Sequence, residues 1–163
     1  MRDDHLLQLN PRKVIKCLRT IVSADQLDAI EAALRDNVRQ IIGLAQAHLR
    51  YAKASAGPSG WRQRVSRGYY CAYITSRAVR LEEAGTFCGD VSDHKKIGEL
   101  PDDFKDLARW QEFLTKFRAD RNLADYDHTA NESGLEMRSH DYLAKAEEFL
   151  KEAKIYLNNR GAL

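Results

Sequence analysis

From Leu27 onward, apolar residues return every three or four positions: Leu27, Ile30, Leu34, Val38, Ile41 and Ala45. That is the repeat of one helix face, and it predicts a helix running to about Lys53. Ser23, followed three residues later by Gln26, has the form of a capping box that opens it. Upstream, Asn10-Pro11 reads as an N-cap and first helical residue. Val14, Ile15, Leu18, Ile21 and Val22 then mark the face of a shorter helix. The stretch "AGPSG" at 56–60 predicts a turn, and a third helix follows from about Gln63 to Ala84. "GTFCGDVSDHKKIGELPDD", with its three glycines and a proline, reads mainly as loop. A fourth helix is expected from Pro101 into the 120s. The last carries Leu143, Ala146, Leu150, Ala153 and Leu157 and is ended by Gly161. Nothing reads as a strand. The expected fold class is all-α, a bundle of four main helices with an extra N-terminal helix. Residues 1–163 form one domain, with 1–22 as a helical extension and 24–160 as the core bundle.

The third helix breaks the amphipathic pattern. Between Arg67 and Arg77 it reads "GYYCAYITS", without a charge. A helix apolar on more than one face is buried on more than one side. In a chain of this size that predicts a homodimer, built on this segment and on the fourth helix. Tyr69, Tyr70 and Tyr73 are expected to be core or interface, although tyrosines also stack on bases.

Composition narrows the classes. Hydrophobic residues make up 44% and charged residues 31% of the 163, enough for one globular core. No apolar run approaches the length of a membrane span, and the N-terminus lacks a signal-peptide pattern. A cytoplasmic protein without a membrane partner is expected. Cys17, Cys71 and Cys88 are far apart, with no metal-ligand spacing, so they read as packing residues. No metal or cofactor is implied.

The net charge of +2 is small, but its distribution is uneven. Trp61 to Arg80 holds Arg62, Arg64, Arg67, Arg77 and Arg80 and no acid. Such a patch either tracks phosphates or is a solvated helix face.

The fourth helix poses the sharper question. At about 100° per residue, Phe113, Leu114, Phe117 and Arg121 all fall within about 60° of Trp110. Continuing the helix returns His128 to the centre of that buried stripe. Arg121 and His128 are therefore either rescued structurally or used. Asp125, four residues after Arg121, offers an ion pair, and His128 offers a cap for the helix end. His48, at the edge of the second helix's stripe, is expected to pack. Asp93-His94-Lys95-Lys96 lies in a loop that either closes over a ligand or is solvated, and the solvated loop is the expectation.

"SRGYYCAYITSRAV" (66–79) and "RADRNLADYDH" (118–128) together resemble the HEPN domain family, in its second core helix and its final-helix motif of Arg, a polar residue and His. The similarity covers roughly residues 28–160. It implies a metal-independent ribonuclease acting as a homodimer, with Arg121, Asn122 and His128 as the catalytic motif. It also implies a toxin-like or defence role, with an antitoxin of nucleotidyltransferase type as a partner. Arg118, Arg64, Arg67 and Arg77 would contact RNA. The chemistry suits these residue types, because RNA supplies its own 2′-OH nucleophile. Imidazole moves protons near neutral pH, and a guanidinium meets the charge developing on phosphorus. "RNLADYD" also resembles a branch of that family in which the catalytic His is often absent. That branch implies the alternative, a non-catalytic module that binds a partner protein or a nucleotide.

Overall fold

The computed structural model describes residues 22–55, 57–84 and 91–163. The expected N-terminal helix, Cys17 and Cys88 lie outside these. Four helices make the bundle: α1 (Ala24–Ala54), α2 (Trp61–Ala84), α3 (Leu107–Tyr126) and α4 (Ser139–Asn159). Short 3₁₀ turns occupy Pro58–Gly60, Val91–Lys96 and Glu132–Gly134. No strand occurs among the described residues.

The capping box forms as expected. The Ser23 N–H donates to Gln26 Oε1 at 2.9 Å, and the Gln26 N–H donates to Ser23 Oγ at 3.4 Å. Two orphan donors of α1 are thereby satisfied.

α2 is the central helix and packs against α1, α3 and α4. Tyr69, Cys71, Ala72, Tyr73, Ile74, Thr75 and Ser76 are all buried within the one chain. The hydroxyl of Ser76 donates to Ile97 O at 2.7 Å, and that of Thr75 donates to Cys71 O at 2.8 Å. The second side of the uncharged run is thus covered by the molecule's own elements. The physical reason for placing a dimer contact on "GYYCAYITS" is removed. Cys71 is free, and burial pushes its thiol up to about 12, as expected for an inert packing residue.

α3 meets α2 at Gly68, where an added Cβ would lie 3.1 Å from the Phe117 ring. Phe117 in turn stacks on Tyr142 of α4, with centroids 4.3 Å apart. Trp110, Phe113 and Phe149 extend this aromatic layer.

Both ends of α3 depart from the sequence reading. It begins at Leu107, not at Pro101, because residue 106 sits in the left-handed region (φ 54°). The preceding turn, closed by Phe104 N–H to Pro101 O at 3.0 Å, drops Phe104 into the core against Phe149 and Tyr156. α3 stops at Tyr126, and Asp127 is extended. Arg62 holds this end, donating to Ala124 O (2.7 Å), Asp127 O (2.8 Å) and Ala130 O (2.7 Å). A cation on the free carbonyls of a helix C-terminus satisfies them and complements the dipole. α4 ends at Gly161 (φ 71°), where the Ala162 N–H reaches back to Leu157 O at 3.0 Å, a Schellman-type close. No helix of the described residues is long and apolar enough to cross a membrane.

Candidate functional site

Tyr69, Tyr73 and Arg80 fall on one stripe of α2 by helical spacing, with Arg77 on its flank. The turn at Val91–Lys96 closes over this stripe. Its anchor is Asp93, fully buried. Arg80 grips that carboxylate through both nitrogens, at 2.7 and 3.1 Å. Tyr73 donates its hydroxyl at 2.7 Å, and Arg77 lies in an ion pair at 3.5 Å. Burial alone would raise the Asp93 pKa; the Arg80 and Tyr73 hydrogen bonds overcome that and hold it below the usual carboxylate range. A buried charge is tolerable only with partners of this kind.

Asp93 fixes its neighbour. The His94 ring lies flat on Tyr73, with centroids 4.1 Å apart and planes at 20°. Its Nδ1 meets the Tyr69 hydroxyl at 2.9 Å. The expectation of a solvated loop at 93–96 is therefore wrong for these two residues: Asp93 is buried and His94 half-buried. Burial lowers the His94 pKa below 6.5, and Arg121 and Arg118 lower it further, against the opposing pull of Asp93.

Arg121 faces the same tyrosines from α3. Its guanidinium lies 5.5 Å from the Tyr69 centroid and 5.3 Å from that of Tyr70, and it donates to the Tyr70 hydroxyl at 2.8 Å. Asp125 pairs with it at 2.7 Å, so the i, i+4 ion pair anticipated from sequence is present. Burial opposes the charge, but Asp125 prevails and keeps the Arg121 pKa above its ordinary value. Asn122 accepts a longer bond from Arg121, at 3.3 Å. Tyr126, 73% exposed, comes within 5.2 Å of the guanidinium.

His128 is displaced from the stripe that the helical extrapolation gave it, because α3 ends two residues earlier. It is exposed and lines a shallow depression with Asn122, Leu123, Tyr126 and Asp127. Tyr126 both lines this depression and approaches the Arg121 guanidinium. Arg121 and Asn122 thus lie in the last turns of α3 and His128 just past its end, with Arg121 half-buried and Asn122 and His128 exposed.

The arginine patch divides. Arg64 is buried: it donates to Ser139 Oγ (2.9 Å), Ser55 O (2.8 Å) and Gly57 O (2.8 Å). Its guanidinium ties the α1–α2 turn to the start of α4, so an RNA contact would require breaking three internal bonds. Arg62 and Arg80 are likewise structural. Arg77 is partly exposed above Tyr73. Arg67 is exposed, and Arg118 is half-buried. Arg67 lines a cleft with His48, Tyr51 and Gln63. His48 itself stacks on Tyr70 at 5.5 Å. Burial and then Arg67 hold its pKa below 6.5.

Two features escaped the sequence reading. Arg62 as the lock on α3 gives no local signal. His94 gives a faint one, since Tyr69, Tyr73 and Arg80 define a polar-tipped stripe that needs a cover. Among the described residues, no group of three His, Cys, Asp or Glu is placed to hold a metal ion. Comparison with protein-family models, with curated proteins and with solved structures finds no match.

Proposed function

We propose that the protein is a metal-independent endoribonuclease of the HEPN type, toxin-like or defence-related, in which Arg121, Asn122 and His128 act on an RNA phosphodiester. The observation that carries this reading is the position of Arg121. A guanidinium held by Tyr70 and Asp125, with Arg118 one turn earlier, is preorganised for charge developing on phosphorus. His128 at an exposed turn is free to reach a substrate proton. In the reaction, the 2′-oxygen attacks phosphorus as its proton passes to a base. The bond to the 5′-oxygen breaks, and that oxygen takes a proton from an acid. The products are a 2′,3′-cyclic phosphate and a 5′-hydroxyl.

One imidazole does not readily serve as both base and acid in one turnover. A homodimer joined at the exposed end of α3, through Leu123 and Tyr126, would bring two motifs to one cleft. An antitoxin of nucleotidyltransferase type is the corresponding partner proposal, and a cytoplasmic setting the corresponding location.

The test is His128→Ala. Cleavage should be lost while fold and assembly are retained, since an exposed side chain contributes little to the core. A variant that cuts RNA as well as the parent would refute the assignment. The second reading, a non-catalytic module for a nucleotide or partner protein, is favoured by the ion pair that already occupies Arg121. It predicts RNA or nucleotide binding with no cleavage by the parent.

A further inference from the structure

Two guanidiniums lie over the tyrosine cluster, Arg77 5.6 Å from the Tyr73 centroid and Arg121 5.5 and 5.3 Å from those of Tyr69 and Tyr70. Arg80 and Arg118 add positive charge that acts on Tyr73 and Tyr69 in turn. Among the described residues, Asp93 pairs with Arg77 and Arg80, and Asp125 pairs with Arg121. Arg121 and Arg118 both act on His94 as nearby positive charges, opposed by Asp93. Arg118 has no hydrogen bond or ion pair among the described residues. In His94, a half-buried residue, Nδ1 is committed to Tyr69, and Nε2 is the ring nitrogen with no hydrogen bond among the described residues. A donor edge and an unpaired guanidinium at a half-buried surface fit an oxyanion.

We infer that His94, with Arg118 and Arg121, forms a phosphoryl-binding subsite for the RNA backbone, in which the imidazole donates from Nε2 to a phosphate oxygen. This deepens the ribonuclease reading and rests on it for the substrate class. The Tyr69 hydroxyl makes the arrangement workable in both protonation states. Toward neutral His94 the phenol donates to Nδ1, leaving the proton on Nε2. Toward the imidazolium the phenol turns and accepts from Nδ1. Burial keeps the Tyr69 phenol protonated, well above its ordinary pKa. Each group facing His94 acts in a defined direction. Arg77, Arg118 and Arg121 resist its charging and Asp93 supports it. A bound phosphate adds negative charge that opposes these cations. His94 should take up a proton from solvent as the anion arrives.

The experiment is a histidine-resolved NMR titration of the full chain with a 2′-deoxy dinucleoside monophosphate, which cannot be cut by 2′-OH attack. The His94 ring signals, assigned with His94→Gln, should move saturably. At saturation, the His94 titration midpoint should rise by about one pH unit or more. Arg118→Gln, which disturbs no internal bond, should weaken the affinity about tenfold. If the His94 midpoint is the same with and without saturating dinucleotide, or if no binding occurs, the subsite is wrong. Parallel RNA cleavage by the parent separates the two claims. Cleavage with a silent His94 leaves the ribonuclease and removes the subsite. A responsive His94 without cleavage does the reverse.

Discussion

His94 and His48 share one physical situation, an imidazole held neutral by burial and by a nearby arginine. Their folded pKa values lie below 6.5, so the unfolded chain binds protons more readily. Above about pH 6.5 both are neutral in either state and neither opposes folding. As pH falls through 6.5 toward the lowered folded values, the unfolded state gains protons and stability declines. Melting temperature measured between pH 7.5 and 5.5 should therefore fall, and His48→Gln combined with His94→Gln should flatten the fall. An unchanged slope in the double variant would mean that other groups carry it. Asp93 belongs to a different window. Its pKa is depressed, so its contribution is lost only at acid pH, below the ordinary carboxylate range. Asp93→Ala at neutral pH should be severe, about 3 kcal/mol or more, because it strands Arg80 in a buried site. Chemical denaturation measures this, and a loss under 1 kcal/mol would contradict the anchoring role.

At the scale of elements, two seams set the site. Gly68 lets α2 and α3 approach, with the Phe117 ring in the space a Cβ would need. Alanine at a helical glycine normally gains up to about 1 kcal/mol. Here Phe117 is fully buried and stacked on Tyr142, so it has little room to yield. Gly68→Ala should be destabilising by about 1 kcal/mol net, and a stabilised variant would show that the seam relaxes. Arg62→Ala should release the end of α3, with faster amide exchange at 127–130 and a loss of about 2 kcal/mol. Unaltered exchange there would mean that the turn holds itself. The α1 cap, the α4 stripe and the Gly161 stop were legible in the sequence, because each is a local pattern with a local cause. The limits of α3 were not: its start depends on where Phe104 finds the core, and its end on an arginine 62 residues upstream. His94 was misplaced for the same reason, since its surroundings come from α2 and α3 and not from its own loop.

At the scale of the molecule, the uncharged run of α2 looked like a subunit interface and is the centre of one chain. Its burial is satisfied internally, which moves any dimer contact to what is exposed. Leu123 and Tyr126 at the end of α3 are 37% and 73% exposed and border His128. Light scattering should give a dimer at micromolar concentration that Tyr126→Asp converts to monomer. A dimer indifferent to Tyr126→Asp would place the interface elsewhere. Whether Arg121 and His128 make an enzyme depends on one chemical fact, the use of the RNA's own hydroxyl. The most direct measurement is cleavage by the parent protein, with chelator present, of two matched RNAs, one carrying a single 2′-deoxy substitution at the mapped cut. The account predicts cutting of the unmodified RNA to a 2′,3′-cyclic phosphate and a 5′-hydroxyl, with no cutting at the substituted position. Cutting that persists at the deoxy position, that stops with chelator, or that never occurs would contradict it.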